Sequence, residues 1–128
     1  MPKPSPEELQ TLFESLKQIL EVYVRHFNEV RIAPKRYELW SKGDFTISGR
    51  KRKELFFASV MLQKDYVGLY YMPVYTEPDM KKLFSPELLK LLKGKSCFHI
   101  KQLSPELEQE IQAALDAGLE LYKTNKWV

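Results

Sequence analysis

The sequence predicts an α+β domain in which helices at the two ends of the chain pack on one face of an antiparallel sheet. Both terminal segments place apolar residues at three- and four-residue steps, as on one side of a helix. Between them lie four short segments rich in aromatic and β-branched residues, which is typical of strands. The links between the first three of these segments are short enough for hairpins. A length of 128 residues suits one core, so residues 1–128 are expected to form a single domain.

Three copies of the triplet Ser-Pro-Glu begin at Ser5, Ser85 and Ser104, and each predicts the start of a helix. A serine N-cap accepts a hydrogen bond from an otherwise unpaired backbone N–H, proline suits the first helical position, and glutamate favours the positive end of the helix dipole. At the first copy, Glu8 completes a capping box. The expected helices are Pro6 to about Phe27, Ser85 to about Gly94 and Pro105 to about Tyr122, with a shorter helical turn over Pro78 to Leu83.

The expected strands are Phe45 to Ser48, Leu55 to Leu62, Tyr66 to Val74 and Ser96 to Ile100. Lys64 and Asp65 leave a short join between the second and third, and Gly49 to Lys53 form a short link between the first and second. The first three strands are therefore predicted to form an antiparallel meander. The fourth joins the sheet after the middle helices.

The composition is that of an ordinary globular protein, with 44% hydrophobic and 29% charged residues and a net charge of +3. The single cysteine, Cys97, cannot form an internal disulfide, and the segment MPKPSPEELQ lacks the apolar stretch of a secretion signal. No apolar run approaches the roughly 20 residues of a membrane helix. We therefore expect a soluble, cytoplasmic protein without a membrane-spanning segment.

The segment SGRKRKELFF, Ser48 to Phe57, places four consecutive cations in front of an apolar run. One interpretation is a solvated link between two strands, since charge runs usually face water and lysines protect sheet edges. The other is an anion site formed by Arg50, Lys51 and Arg52, with Arg36 as a further member. Duplex recognition needs an element that fits a groove, and none is evident in the sequence, which argues against a nucleic-acid partner.

A second candidate site consists of aromatic residues. Alternation along the segment YVGLYYMPVY sends Tyr66, Gly68, Tyr70 and Met72 to one face of the sheet. Cys97 and His99 are expected on that same uncovered face, because the residues that alternate with them suit the core. The predicted binding residues on and around this face are Trp40, Arg50, Arg52, Tyr70, Tyr75 and His99. The alternative is that the large aromatic residues only cap a half-open sheet.

The sequence gives little support for catalysis or for metal binding. Cys97 and His99 would lie roughly 6 to 7 Å apart on one strand face, which is too far for a catalytic dyad. The chain contains no nucleophile elbow, phosphate-binding loop, dinucleotide-binding turn or zinc-protease motif. Zinc would need more ligands than these two residues and His26 supply. We therefore predict no enzymatic activity, no cofactor and no metal-binding residue.

Five segments resemble a known family: YELW (Tyr37 to Trp40), GRKRKELFFA (Gly49 to Ala58), YVGLYYMPVY (Tyr66 to Tyr75), LLKLLKGKSCFHIK (Leu88 to Lys101) and GLELYKTNKWV (Gly118 to Val128). They are similar to the YdhG-like proteins, a broad bacterial family with a domain of unknown function. The resemblance covers most of the chain from Tyr37 onward. It implies an α+β fold with a curved antiparallel sheet of about four to five strands, under N- and C-terminal helices packed on one face.

The resemblance also implies an alternative function, because some relatives resemble frataxins in shape and are described as iron chaperones. A frataxin-like carrier presents an acidic ridge, whereas the first helix here interleaves Glu14 and Glu21 with Lys17 and Arg25. Mixed charges cancel the field that would hold a cation, so no iron ligand is assigned.

Together these observations predict a non-enzymatic binding module for a small anionic or aromatic ligand or for a protein partner, present as a monomer or a homodimer. A frataxin-like iron chaperone is the first alternative. Weak nucleic-acid binding through the basic turn is the second.

Overall fold

The structure, a computed structural model, describes residues 4–47 and 49–128 and has the predicted α+β class. The helices are α1 (Pro6–Glu21), α2 (Met72–Thr76), α3 (Pro86–Leu91) and α4 (Pro105–Thr124). The strands are β1 (Glu29–Ala33), β2 (Arg36–Ile47), β3 (Arg50–Leu62), β4 (Val67–Tyr71), β5 (Leu92–Lys93) and β6 (Cys97–Ile100). Two short 3₁₀ turns cover Val24–His26 and Pro78–Leu83. No helix of the described residues has the length and apolar character needed to cross a membrane.

The six strands form one open sheet in the order β1-β2-β3-β4-β6-β5, and all neighbouring strands are antiparallel. This is more than the four to five strands expected. The short edge strands β1 and β5 were missed. No strand was expected before Phe45, and Leu92–Lys93 were expected to belong to the helix from Ser85 to about Gly94, which ends at Leu91 instead. The strand expected from Phe45 begins at Arg36 instead, and its expected end at Ser48 lies outside the described residues.

Two further predicted boundaries are wrong. The strand expected to reach Val74 ends at Tyr71, because Pro73, which has no backbone N–H to donate, stands in the first turn of α2. The first helix ends at Glu21 rather than near Phe27. The residues that follow include two β-branched valines and a tyrosine, which are weak helix formers, and the chain turns there towards β1.

The helix starts are confirmed. Ser5, Ser85 and Ser104 each accept a hydrogen bond from the backbone N–H three residues later. At Ser5, the Glu8 carboxylate also accepts from the serine N–H, which completes the capping box. The local signals at these three helix starts therefore match the observed caps.

One face of the sheet, the core face, carries the hydrophobic core. Tyr37, Val60, Leu69 and Phe98 are aligned side by side on neighbouring strands and are all buried. The Lys17 ammonium of α1 lies 5.6 Å from the Tyr37 ring centroid, and the Tyr71 hydroxyl donates a hydrogen bond to the Ala114 carbonyl of α4. Both terminal helices therefore pack on the same face, as predicted.

The four cations of the basic segment lie within a strand rather than in a link. Ile47 pairs with Arg50, so β3 begins only three positions after the last residue of β2. Gly49 has a φ of +79°, in the left-handed region that favours glycine. The expectation that Gly49 to Lys53 form the connection is wrong, because a turn this tight leaves Arg50 and its successors free to pair with β2.

Candidate functional site: the reverse face of the sheet

The register brings three of the predicted site residues onto the face opposite the core. Tyr70 stands between Ser59 and Cys97, and His99 stands opposite Gly68. Trp40 shares this face, since its indole N–H donates to the carboxylate of Glu38, which pairs with Ser59. We call this surface the reverse face; its aromatic side chains are half-buried. The predicted alternation of core and uncovered residues along β4 and β6 is confirmed.

The structure does not bring the predicted arginines to these aromatic residues. Arg52 pairs with Phe45, whereas Tyr70 pairs with Ser59, seven residues further along β3. At about 3.3 Å per residue the two positions are roughly 20 Å apart. Arg36 stands at the opposite end of β2 from the partner of Arg50.

Tyr75 also lies away from the reverse face. It belongs to α2 rather than to the expected strand, and half of its side chain is exposed. The Lys95 ammonium lies 5.8 Å from its ring centroid, at the turn between β5 and β6. Tyr75 therefore has a cation neighbour of its own, separate from the sheet aromatics.

The Trp40 ring is already covered by a cation of the same chain. The guanidinium carbon of Arg31 lies 3.9 Å from the ring centroid, and Arg31 also pairs with Glu29 and Glu54. Sequence reasoning missed Arg31 because it did not predict β1. The alternation of charged and apolar residues in EVRIA is the signal that could have found this strand.

Tyr66 and His99 form an aromatic pair separate from Trp40. Their ring centroids lie 3.9 Å apart and their ring planes are 12° from parallel. Gly68, opposite His99, makes room for two tyrosine rings: a Cβ atom there would lie 3.1 Å from Cε2 of Tyr70 and 3.6 Å from Cε2 of Tyr66. The glycine therefore lets these rings lie over the strand backbone. It does not open a cavity.

The surroundings of this cluster favour the neutral forms of His99 and Cys97. Burial lowers the pKa of His99, and the positive charges of Lys93 and Lys101 lower it further, so the imidazole is neutral at pH 7. Burial raises the pKa of the Cys97 thiol, while a hydrogen bond with Tyr70 opposes that rise. A neutral imidazole beside a protonated thiol is not an activated nucleophile pair. What remains is a stacked ring pair with two lysines close by.

An open groove of about 690 Å³ lies between α1, the start of α4 and the segment after β6, and Lys101 is part of its lining. Carboxylate and amide side chains form much of its lining, together with Leu12, Ile19 and the largely exposed Val22. Within residues 4–47 and 49–128, no group of three or more His, Cys, Asp or Glu side chains is placed to hold a metal ion.

Comparison with known proteins gives no further identification. The chain matches no protein-family model, no curated protein and no solved structure. The resemblance to YdhG-like proteins therefore stays a prediction from the sequence segments that carry it.

Proposed function

We propose that this protein is a non-enzymatic binding module, and that the reverse face of its sheet binds a small planar anion beside Tyr66 and His99. The observation that carries the proposal is the stacked ring pair with Lys93 and Lys101 around it. An aromatic ligand gains by stacking on the outer side of such a pair, and its negative charge gains from the two lysines.

The neighbouring charges favour anion binding at Tyr66 and His99 over anion binding at Trp40. Trp40 is covered by Arg31, whose charge is balanced by two glutamates. By contrast, Lys93 and Lys101 are exposed and have no ion-pair partner in the part of the chain that the structure describes. An anion at Tyr66 and His99 would displace only water, whereas one at Trp40 would have to displace a side chain.

The test is a titration of isotope-labelled protein, followed by the amide chemical shifts. Three probes separate ring from charge: benzoate has both, acetate has only the charge, and benzamide has only the ring. We expect benzoate to shift the amides of Gly68 and His99 in a saturable manner, and the other two probes to do so less. Shifts of equal size for all three, or benzoate shifts confined to other regions, would contradict the proposal.

Variants then locate the site. His99→Ala and Lys101→Ala should each weaken benzoate binding severalfold. The matched controls Tyr75→Ala and Lys81→Ala remove an exposed ring and an exposed charge away from the reverse face and should leave it unchanged. If the controls lose as much affinity as the site variants, the binding is unspecific. A protein partner on this face would instead leave the three probes silent.

A further inference from the structure

The distal half of the β2–β3 hairpin extends past the rest of the sheet. β1 pairs with β2 only over Arg36–Trp40, and β4 pairs with β3 only over Ala58–Leu62. Over residues 43–53, which we call the arm, the described residues of the two strands pair only with each other. The arm is therefore a two-stranded antiparallel ribbon.

The net positive charge of the chain is concentrated on this arm. Residues 43–53 contain four cations, Arg50 to Lys53, and one carboxylate, Asp44, a net +3 that equals the net +3 of the whole chain. The rest of the molecule is thus neutral overall. Lys53 pairs with Asp44 at 2.5 Å, whereas Arg50, Lys51 and Arg52 have no ion-pair partner among the residues that the structure describes. Three exposed cations are left for an anionic partner.

The cations lie on both faces of the ribbon. Because side chains alternate along a strand, Arg50 and Arg52 point to the face that also carries their partners, the half-buried Ile47 and the buried Phe45, and Lys51 points to the other. All three cations are exposed. A flat anionic surface, such as a lipid bilayer, can contact only one of these faces at a time. A groove between two rows of phosphates can contact both.

The arm is also anchored at its base. Phe45, the pairing partner of Arg52, is buried and belongs to the hydrophobic core, with 7% of its surface exposed. An anchored ribbon presents its charges in a fixed arrangement, and less conformational entropy is lost when it binds.

We propose that the arm binds double-stranded DNA by entering the major groove and contacting phosphates from both of its faces. The major groove of B-form DNA, about 12 Å wide, admits a two-stranded β-ribbon. No element that fits a groove is evident from the sequence, and the arm is such an element. The proposal does not depend on the ligand of the reverse face, because the arm contains none of the residues proposed to hold that ligand.

Three phosphate contacts predict how binding depends on salt. The logarithm of the association constant should fall with the logarithm of salt concentration with a slope of about −3 between about 50 and 200 mM. Fluorescence anisotropy with a short labelled DNA duplex measures this slope for the full chain. No binding at the low-salt end of this range, or a slope close to zero, would overturn the proposal.

Variants on the two faces test the groove directly. Arg50→Gln/Arg52→Gln should weaken duplex binding and reduce the slope by about 2, and Lys51→Gln on the other face should reduce it by about 1. The control Lys81→Gln/Lys82→Gln removes two exposed cations elsewhere and should leave the slope unchanged. Circular-dichroism melting checks that all variants remain folded. If Lys51→Gln has no effect while the arginine variant loses binding, only one face is in contact and the groove is excluded.

Competition separates DNA from other anionic partners. Competitors are compared at equal concentrations of negative charge. On that scale, unlabelled duplex should displace the labelled duplex at a lower concentration than single-stranded DNA, polyglutamate or phosphatidylserine vesicles do. Equal displacement by polyglutamate would indicate attraction to any polyanion and would overturn the proposal. Stronger displacement by the vesicles would assign the arm to membrane surfaces instead.

Discussion

The Tyr71 hydroxyl occupies the space that a side chain at Gly118 would need. A Cβ atom on Gly118 would lie 2.5 Å from that hydroxyl and 2.8 Å from Cγ of Pro73. The same hydroxyl donates a hydrogen bond to the carbonyl of Ala114, one turn earlier in α4. The glycine therefore permits the close approach of α4 to the end of β4.

Gly118→Ala should destabilise the protein by about 1–3 kcal/mol, because overpacking against buried atoms outweighs the roughly 1 kcal/mol by which alanine favours a helix over glycine. Urea denaturation measures the change. The matched control is Gly68→Ala, where the nearest ring belongs to the half-buried Tyr70 and can move. We expect a smaller loss there than at Gly118, because the Tyr70 ring has to move by only a few tenths of an ångström. A Gly118→Ala variant more stable than wild type would show that the close approach is not required.

A hydrogen bond joins the segment after α1 to α4. The Tyr23 hydroxyl donates to Oδ1 of Asp116 at 2.6 Å. Tyr23→Phe should therefore cost about 1.5 kcal/mol of unfolding free energy at neutral pH, since the acceptor is a carboxylate. The control Tyr75→Phe removes an exposed hydroxyl and should be close to neutral.

The Tyr23 hydrogen bond should also depend on alkaline pH. Burial raises the pKa of Tyr23, and Asp116 raises it further. Because the folded-state pKa lies above the unfolded value of 10.0, the stabilisation is complete below about pH 10 and is lost as the pH rises towards the folded-state pKa. The stability difference between wild type and Tyr23→Phe should thus shrink above pH 10. A difference that grows there would contradict the assignment.

The ion pairs of Glu29 should make the stability of the folded protein fall in acid. Hydrogen bonds from Lys42 and Arg31 lower the pKa of Glu29 below its ordinary value of 4.5. A lowered folded-state pKa gives stability that is present above about pH 4.5 and is lost as the pH falls below it. Glu29→Gln should therefore have a lower melting temperature than wild type at pH 7, and the difference should vanish in acid. The control Glu77→Gln, at an exposed glutamate that forms no ion pair among the described residues, should match wild type throughout.

The serine cap of α4 offers a test of local helix chemistry. Ser104 accepts a hydrogen bond from the Leu107 N–H at 3.1 Å. Ser104→Ala should cost about 1 kcal/mol, whereas Ser104→Asn, which keeps a capping acceptor, should cost little. Thermal denaturation of the two variants measures this difference. Equal losses in both would mean that the cap contributes nothing to stability.

Features that depend on near neighbours in the chain could be predicted from the sequence. The serine caps and the alternation along β4 involve residues at most four positions apart, so their signals are written in short segments. The same alternation correctly placed Tyr70 and His99 on the uncovered face. The end of α1 was misjudged because the apolar spacing continues past Glu21 while the backbone does not.

The tertiary structure alone decided which distant residues meet. The stack of Arg31 on Trp40 needs the edge strand β1, and the separation of Arg52 from Tyr70 depends on the register of β2 against β3 and β4. The sequence by itself determined the helix starts, the α+β class and which strand residues face the core, because these follow from local periods and caps. Strand order, register and the projecting arm were decided only on folding, because pairing between strands is a long-range choice that no local period encodes.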